Sequence, residues 1–209
     1  MKKIQIMLLA LVVFASAIAG ACNISCDGSG EAVAVTGTNN IPKIQAELQK
    51  LEGMTLVIGP QGDEGSTIQM IAVVQEYGAD IKITPKMAAF LSATAKELGL
   101  PPKAEKGDGF VHIPERSFMR ATFDNDAALD KAFAQYEDAV YRILTGEGTA
   151  MQAANVLGNA LVAAVKNRIA SNIAPGNSEF TIAKKGEGKN TLVDRGRLLQ
   201  SISYEVKSA

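Results

Sequence analysis

The sequence predicts an α+β fold: a small mixed or antiparallel β-sheet packed against two long α-helices, with a hydrophobic helix at the N-terminus. Three observations predict it. Two long segments, 126–144 and 149–172, carry apolar stripes at the 3.6-residue period and are joined by a short turn, so they should pack as an αα-hairpin. Short apolar runs of strand length interleave with shorter helices in no regular βαβ alternation. Ile4 to Gly20 runs 17 residues without a charge behind Lys2 and Lys3.

Residues 1–21 have the form of a targeting segment. Ala19-Gly20-Ala21 places small residues where a signal peptidase cuts, which would leave Cys22 first. Cys22 could then carry a lipid, although Ala19 stands where such signals usually have Leu. As a helix, 17 residues span about 26 Å at ~1.5 Å each, slightly short of the ~30 Å hydrocarbon core. An uncleaved anchor, a buried helix and a misplaced start remain as alternatives. Residues 22–40 read as a linker rich in Gly, Ser, Thr and Asn, with strand character only at 32–36. The main domain is placed at 41–209.

Within it, Asn40 is positioned to cap a helix with Pro42 in its first turn, and Gly53 stops that helix. Met54–Ile58 reads as a strand, followed by a turn-rich loop from Gly59 to Gly65. Ser66 caps a helix through Tyr77, ended by Gly78. Ile81 and Ile83 alternate with Lys82 and Thr84, as in a strand with one buried face. Residues 86–98 form a helix with Met87, Phe90, Leu91 and Leu98 as its apolar positions, and Phe110–Ile113 is another strand. Asn125 or Asp126 caps the first long helix, whose stripe holds Leu129, Ala132, Phe133, Tyr136, Val140, Ile143 and Leu144. Many small residues on the second long helix allow close approach to a partner. Phe180–Ala183 reads as a strand, Lys184–Asn190 as a hairpin loop, Asp194–Gly196 as a turn or short helix, and Ile202–Val206 as the last strand.

Composition narrows function. Of 209 residues, 47% are hydrophobic and 21% charged, which suits a folded domain with a real core. Lys and Arg number 21 against 22 acidic residues, so the chain is no general polyanion binder. A single histidine, His112, excludes a multi-histidine metal site, and Cys22 and Cys26 cannot staple the body. No cofactor is expected.

The enzyme signals are weak. Gly59, Gly62 and Gly65 lie between a strand and a helix, but Glu64 falls where a P-loop needs its second Gly, and no Lys follows. His112 with Ser117 and a carboxylate would make a nucleophilic triad, yet no Gly-x-Ser-x-Gly elbow accompanies them. Lys184, Lys185 and Lys189, with Arg195 and Arg197, form the one basic cluster. It reads as a solvated loop or as a contact for DNA phosphates or an acidic partner, without sequence-specific DNA reading.

Three segments carry a further signal: Ile71-Ala72-Val73-Val74-Gln75-Glu76-Tyr77-Gly78; Ile113-Pro114-Glu115-Arg116-Ser117-Phe118-Met119-Arg120; and Leu192-Val193-Asp194-Arg195-Gly196-Arg197-Leu198-Leu199-Gln200-Ser201-Ile202-Ser203-Tyr204. In this order the chain resembles bacteriophage virion-morphogenesis proteins of the tail-completion or head–tail joining family, over roughly residues 41–207. The third motif commonly reads Asp-Thr-Gly, and Arg195 replaces the Thr. Members of that family assemble in the host cytoplasm and do not normally carry a leader.

The residues of the motifs have their own physical reading. Pro114 forces an extended entry. Arg116 and Arg120 share a face if the chain turns helical after Pro114, with Phe118 pointing into the core. Asp194 caps a turn and Gly196 supplies backbone freedom. Glu76, Gly78, Pro114, Arg116, Phe118, Arg120, Asp194 and Gly196 are thus candidate scaffold residues.

The resemblance implies a non-catalytic structural protein of a virion. It would act as a homo-oligomeric ring such as a hexamer at the neck or tail top, between connector and tail-tube proteins, with non-specific DNA contact in the lumen. The alternative is an exported, lipid-anchored envelope binding protein, which residues 1–22 favour. A hydrolase built on His112 is a third and remote reading.

Overall fold

The computed structural model describes residues 2–5, 39–62, 66–101, 109–186 and 190–208. The fold is a mixture of α and β, with eight helices and two small antiparallel sheets among those residues. The linker's strand-like residues 32–36 and most of the apolar N-terminal segment lie outside them. Lys2–Gln5 form a strand, β1, where a hydrophobic helix is expected. Among the described residues no helix is long and apolar enough to cross a membrane.

The spine is the second long helix. The two long helices are α5 (Asp126–Leu144) and α6 (Ala150–Ala170), packed as an αα-hairpin. Asn125 caps α5 by accepting from the Ala128 amide at 3.1 Å. Thr149 and Gln152 form a capping box at the start of α6, each side chain accepting from the other's backbone amide. One face of α6 is buried along its whole length: Ala150, Ala153, Ala154, Leu157, Gly158, Leu161, Val165 and Ile169.

Three apolar clusters follow that face. At the N-terminal end, Ala150, Ala153 and Ala154 meet Leu51, Met54 and Ile143. In the middle, Leu157 and Leu161 meet Leu56, Ile58 and Ala132. At the C-terminal end, Val165 and Ile169 meet Ala72, Phe118, Ile173, Leu192, Leu198 and Ile202. Burying each large side chain stabilises the fold by roughly 1.5–3 kcal/mol.

The sheet that covers α6 is β1-β2-β5, with β2 (Met54–Pro60) in the centre. β5 (Ile202–Ser208) pairs antiparallel with it, Ile58 opposite Tyr204 and Leu56 opposite Val206. These four side chains share one face of the pleat and pack on α6. Gly59 and Pro60 are therefore strand residues and not the start of a loop; they lie opposite Ser203 and Ile202. Gly158 lets the sheet come close. A Cβ there would lie 2.5 Å from the Tyr204 ring, and the Tyr204 hydroxyl donates to Asn155 at 3.1 Å. This small-residue surface, a candidate for contact with a partner, is filled from within.

Helix α1 (Ile41–Glu52) grips the turn between α5 and α6. Lys43 donates to the Gly146 carbonyl at 2.7 Å, and Glu47 accepts from the Ala150 amide at 2.8 Å. Asn40 makes no capping bond; the side chain of Asn39 accepts from Ile41 instead, at 3.1 Å.

The chain between α2 (Thr67–Tyr77) and α4 (Arg120–Phe123) forms an arm. It holds β3 (Ala79–Lys82), α3 (Pro85–Glu97) and β4 (Phe110–Ile113), with β3 and β4 paired as a two-stranded ribbon. Helix α3 buries only Ala95. Phe90, one of its apolar positions, is 56% exposed, and Ile81 on the ribbon is 41% exposed. The periodicity finds these elements, but the body covers them only in part.

One expected strand is a helix. Residues 180–183 lie in α7 (Glu179–Lys185). Ser178 caps it by accepting from Thr181, Glu179 sits in the first turn, and Lys184 and Lys185 sit in the last. Cap and charges that suit the helix dipole outweigh the strand preference of Phe180, Thr181 and Ile182.

Candidate functional site

The arm meets the body at one buried carboxylate. Glu76 is in the last turn of α2 and is 5% exposed. Its Oε2 accepts from the backbone amides of Phe118 and Met119, both at 2.8 Å. Its Oε1 accepts from the Ser117 hydroxyl at 2.8 Å, the Arg120 amide at 2.9 Å and Arg120 Nε at 3.2 Å. The carboxylate thus satisfies the open amides at the start of α4 from a different helix. Burial alone pushes the Glu76 carboxyl up; the donors from Met119, Arg120, Ser117 and Phe118 outweigh burial and hold it below its ordinary value.

Gly78 makes the approach close. Its φ is +73°, and a Cβ there would stand 2.9 Å from the Ile113 carbonyl oxygen. Only glycine combines that backbone conformation with that contact. The Arg116 amide donates to the Gln75 carbonyl at 2.8 Å, so both ends of the arm are fastened side by side.

The two arginines of the second motif diverge. The chain remains non-helical from Pro114 to Met119, so Arg116 and Arg120 do not share a helix face. Arg116 is buried and donates to the carbonyls of Pro175 and Gly176 at 2.8 and 3.0 Å, and to Gln75 Oε1 at 3.4 Å. Burial pushes its guanidinium down from the ordinary value. Arg120 instead lies over the Tyr77 ring, 4.6 Å from the centroid, and bridges Glu76 to Glu115. Phe118 is in the core as expected, 1% exposed.

The third motif closes the same cluster. Leu192, Leu198 and Ile202 pack with Phe118 and Ala72, so all three motifs meet in one core. Gly196 is left-handed, φ +76°, at the start of α8 (Arg197–Ser201). Asp194 does not cap it; that helix has no side-chain capping bond.

The basic cluster is divided. Lys184 lies over the Phe90 ring of the arm, 5.4 Å from its centroid. Lys185 turns inward and donates to the carbonyls of Thr191 and Asn190 at 3.3 and 3.5 Å. Burial pushes its ammonium down, Asp194 pulls it up, and Arg116 pushes it down again. Both lie in α7 and not in a hairpin loop. Lys189 lies outside the described residues. Arg195 and Arg197 are exposed.

His112 pairs with Asp80 across the ribbon, Nδ1 to Oδ1 at 2.6 Å, while the Ser117 hydroxyl is held by Glu76. The geometry gives Ser117 to a structural carboxylate and not to a histidine base. Among the described residues no group of three or more His, Cys, Asp or Glu side chains could hold a metal ion. No family model matches the chain, and neither a curated protein nor a solved structure matches it.

Glu76 and Glu47 are the anchoring residues whose roles the sequence does not reveal. Glu76 contacts residues 41 to 44 positions away and Glu47 a residue 103 away, so no local pattern marks either contact.

Proposed function

We propose that this chain is a structural virion protein of a phage or prophage. It acts in tail completion or head–tail joining, as a ring at the neck or tail top, and its role is assembly and not catalysis. The observation that carries the reading is the convergence of the three motifs. Segments far apart in the chain pack around one buried cluster, and Glu76 of the first motif holds Ser117, Phe118, Met119 and Arg120 of the second. A motif set that forms one structural unit is what a shared fold requires. Convergence of this kind supports kinship of architecture, and the assembly role follows from the resemblance.

The test is genetic. In a lysogen that carries the gene, a deletion complemented from a plasmid should show the role directly. The expected outcome is separate full heads and tails in the lysate by electron microscopy, with joined particles restored by the complementing copy. Normal infectious yield from the deletion strain would overturn the reading.

The envelope alternative rests on residues 1–22, of which the structure describes Lys2–Gln5 only. Membrane fractionation of the full chain beside a Cys22→Ala variant separates the two. Lipid-dependent membrane recovery would favour the envelope.

A further inference from the structure

We infer that the open edge of β5 pairs with the same edge of a second copy, in an antiparallel two-fold register centred on Val206. The inference goes beyond the proposed assembly role and does not depend on it.

The parity of the ladder shows which groups are free. Pro60 has no N–H to give and stands opposite Ile202, while the Gln61 amide donates to the Ser201 carbonyl at 2.8 Å. In an antiparallel pair, positions that bond across alternate with positions that do not. Ser203, Glu205 and Lys207 therefore bond to β2, opposite Gly59, Val57 and Thr55. Tyr204, Val206 and Ser208 turn their backbone N–H and C=O groups the other way. The sheet ends at β5, and those groups have no partner among the described residues.

The edge lacks the usual devices that keep such edges apart. It is seven residues long and free of proline, and its register with β2 is unbroken by a bulge. Its inward side chains, Ile202, Tyr204 and Val206, carry no charge.

The charge pattern selects a second copy as the occupant. On the face away from α6, Glu205 and Lys207 are exposed and pair along the strand at 3.3 Å. Two copies paired about Val206 set Glu205 of each directly across from Lys207 of the other. Both ion pairs fall at positions without hydrogen bonds, where opposed side chains come closest. Tyr204 of each copy then bonds Ser208 of the other, and Val206 bonds Val206, for up to about six backbone hydrogen bonds. Pairing about Glu205 or Lys207 instead sets like charges face to face, and pairing about Tyr204 places no opposite charges across from each other. The strand is thus complementary to itself in both backbone and charge. A two-fold contact uses the edge up at two copies.

The experiment uses the full chain in sedimentation velocity over a concentration series, with amide hydrogen exchange by NMR at a low and a high concentration. The expected result is a dimer. The Tyr204 and Val206 amides should exchange fast when dilute and slow down on dimerisation, whereas Ser203 and Glu205 stay protected at both concentrations. Glu205→Lys and Lys207→Glu each oppose like charges at both ion pairs, so each alone should dimerise about 10-fold more weakly or worse. Mixed in equal amounts, the two variants should recover a heterodimer, because every lysine then meets a glutamate. Val206→Pro removes an outward amide and spares the bonds to β2, so it should be folded by circular dichroism and monomeric. A wild type that stays monomeric throughout the series overturns the inference. So does a dimer whose Tyr204 and Val206 amides exchange as fast as in the monomer, or one that the charge variants leave unchanged. The virion role is judged separately, by the deletion strain.

Discussion

Helix α6 and the arm differ in how they use apolar residues. Every turn of α6 is sealed by small or branched side chains, down to a glycine pressed against the Tyr204 ring. Helix α3 has comparable apolar periodicity, yet it buries one alanine and leaves Phe90 in solvent. Periodicity records which face is apolar, and topology decides whether anything covers it. The body is a packed unit, whereas the arm is attached at its base. Glu76, Gly78 and the Arg116 amide hold that base together.

The strongest way to break this division is at the base. Glu76→Ala leaves three amides and a hydroxyl without their acceptor beneath α4. The expected loss is about 3–5 kcal/mol in urea unfolding, in line with breaking a buried charged contact. Glu76→Gln should recover part of it, because one amide oxygen can still accept.

Next in size is the body itself. Gly158→Val drives carbon atoms into the Tyr204 ring and should cost about 1–3 kcal/mol, read as a lower denaturation midpoint. Its partner test is Gly158→Val combined with Tyr204→Ala, which removes the clash. If the double variant is no less stable than Tyr204→Ala alone, the clash is the cause.

Acid should act on the base as well. Glu76 and Glu47 both have carboxyl groups held below their ordinary values in the folded chain. Groups shifted that way add stability that is fully present above the ordinary carboxylate range. It is lost as pH falls through the folded values. Stability should therefore decline below about pH 4.3. That decline should be shallower in Glu76→Gln, measured as unfolding midpoint against pH.

A smaller change should be favourable. The Tyr136 hydroxyl is buried between α5 and its neighbours with no hydrogen-bond partner among the described residues, and burial pushes its pKa up to about 12. Tyr136→Phe removes an unsatisfied polar group and should stabilise the body by about 1 kcal/mol.

The smallest expected effect lies in the arm. Phe90→Ser should change the unfolding free energy by no more than about 0.5 kcal/mol, because the ring is mostly in water. A cost several times larger would show that the arm is part of the core and erase the contrast.

Much of this architecture is legible in the sequence because its signals are local. Ser66 and Asn125 cap their helices where their side chains predict. The alternation of Ile202, Tyr204 and Val206 reports the pleat that packs on α6. Phe180–Ala183 deceives because three strand-favouring side chains sit inside a well-capped turn of helix. Arg116 and Arg120 deceive because the chain delays its helix until Arg120, which turns the two guanidinium groups to different partners. Glu76 has no local signal at all. The sequence places it in a motif, and only the fold brings Ser117 to Arg120 onto its oxygens. The basic cluster was compact along the chain and scattered in space, since helix formation in α7 sends Lys184 and Lys185 in different directions.

The contact between Glu47 and Ala150 has a kinetic consequence. The αα-hairpin closes over a short turn, so its contacts form between near neighbours in the chain. Docking α1 on that turn joins residues 103 positions apart and carries the entropy of closing a long loop. The hairpin can therefore take shape first, with α1 latching late. Stopped-flow measurements on Glu47→Ala should then show faster unfolding with a nearly unchanged refolding rate, placing this latch after the transition state.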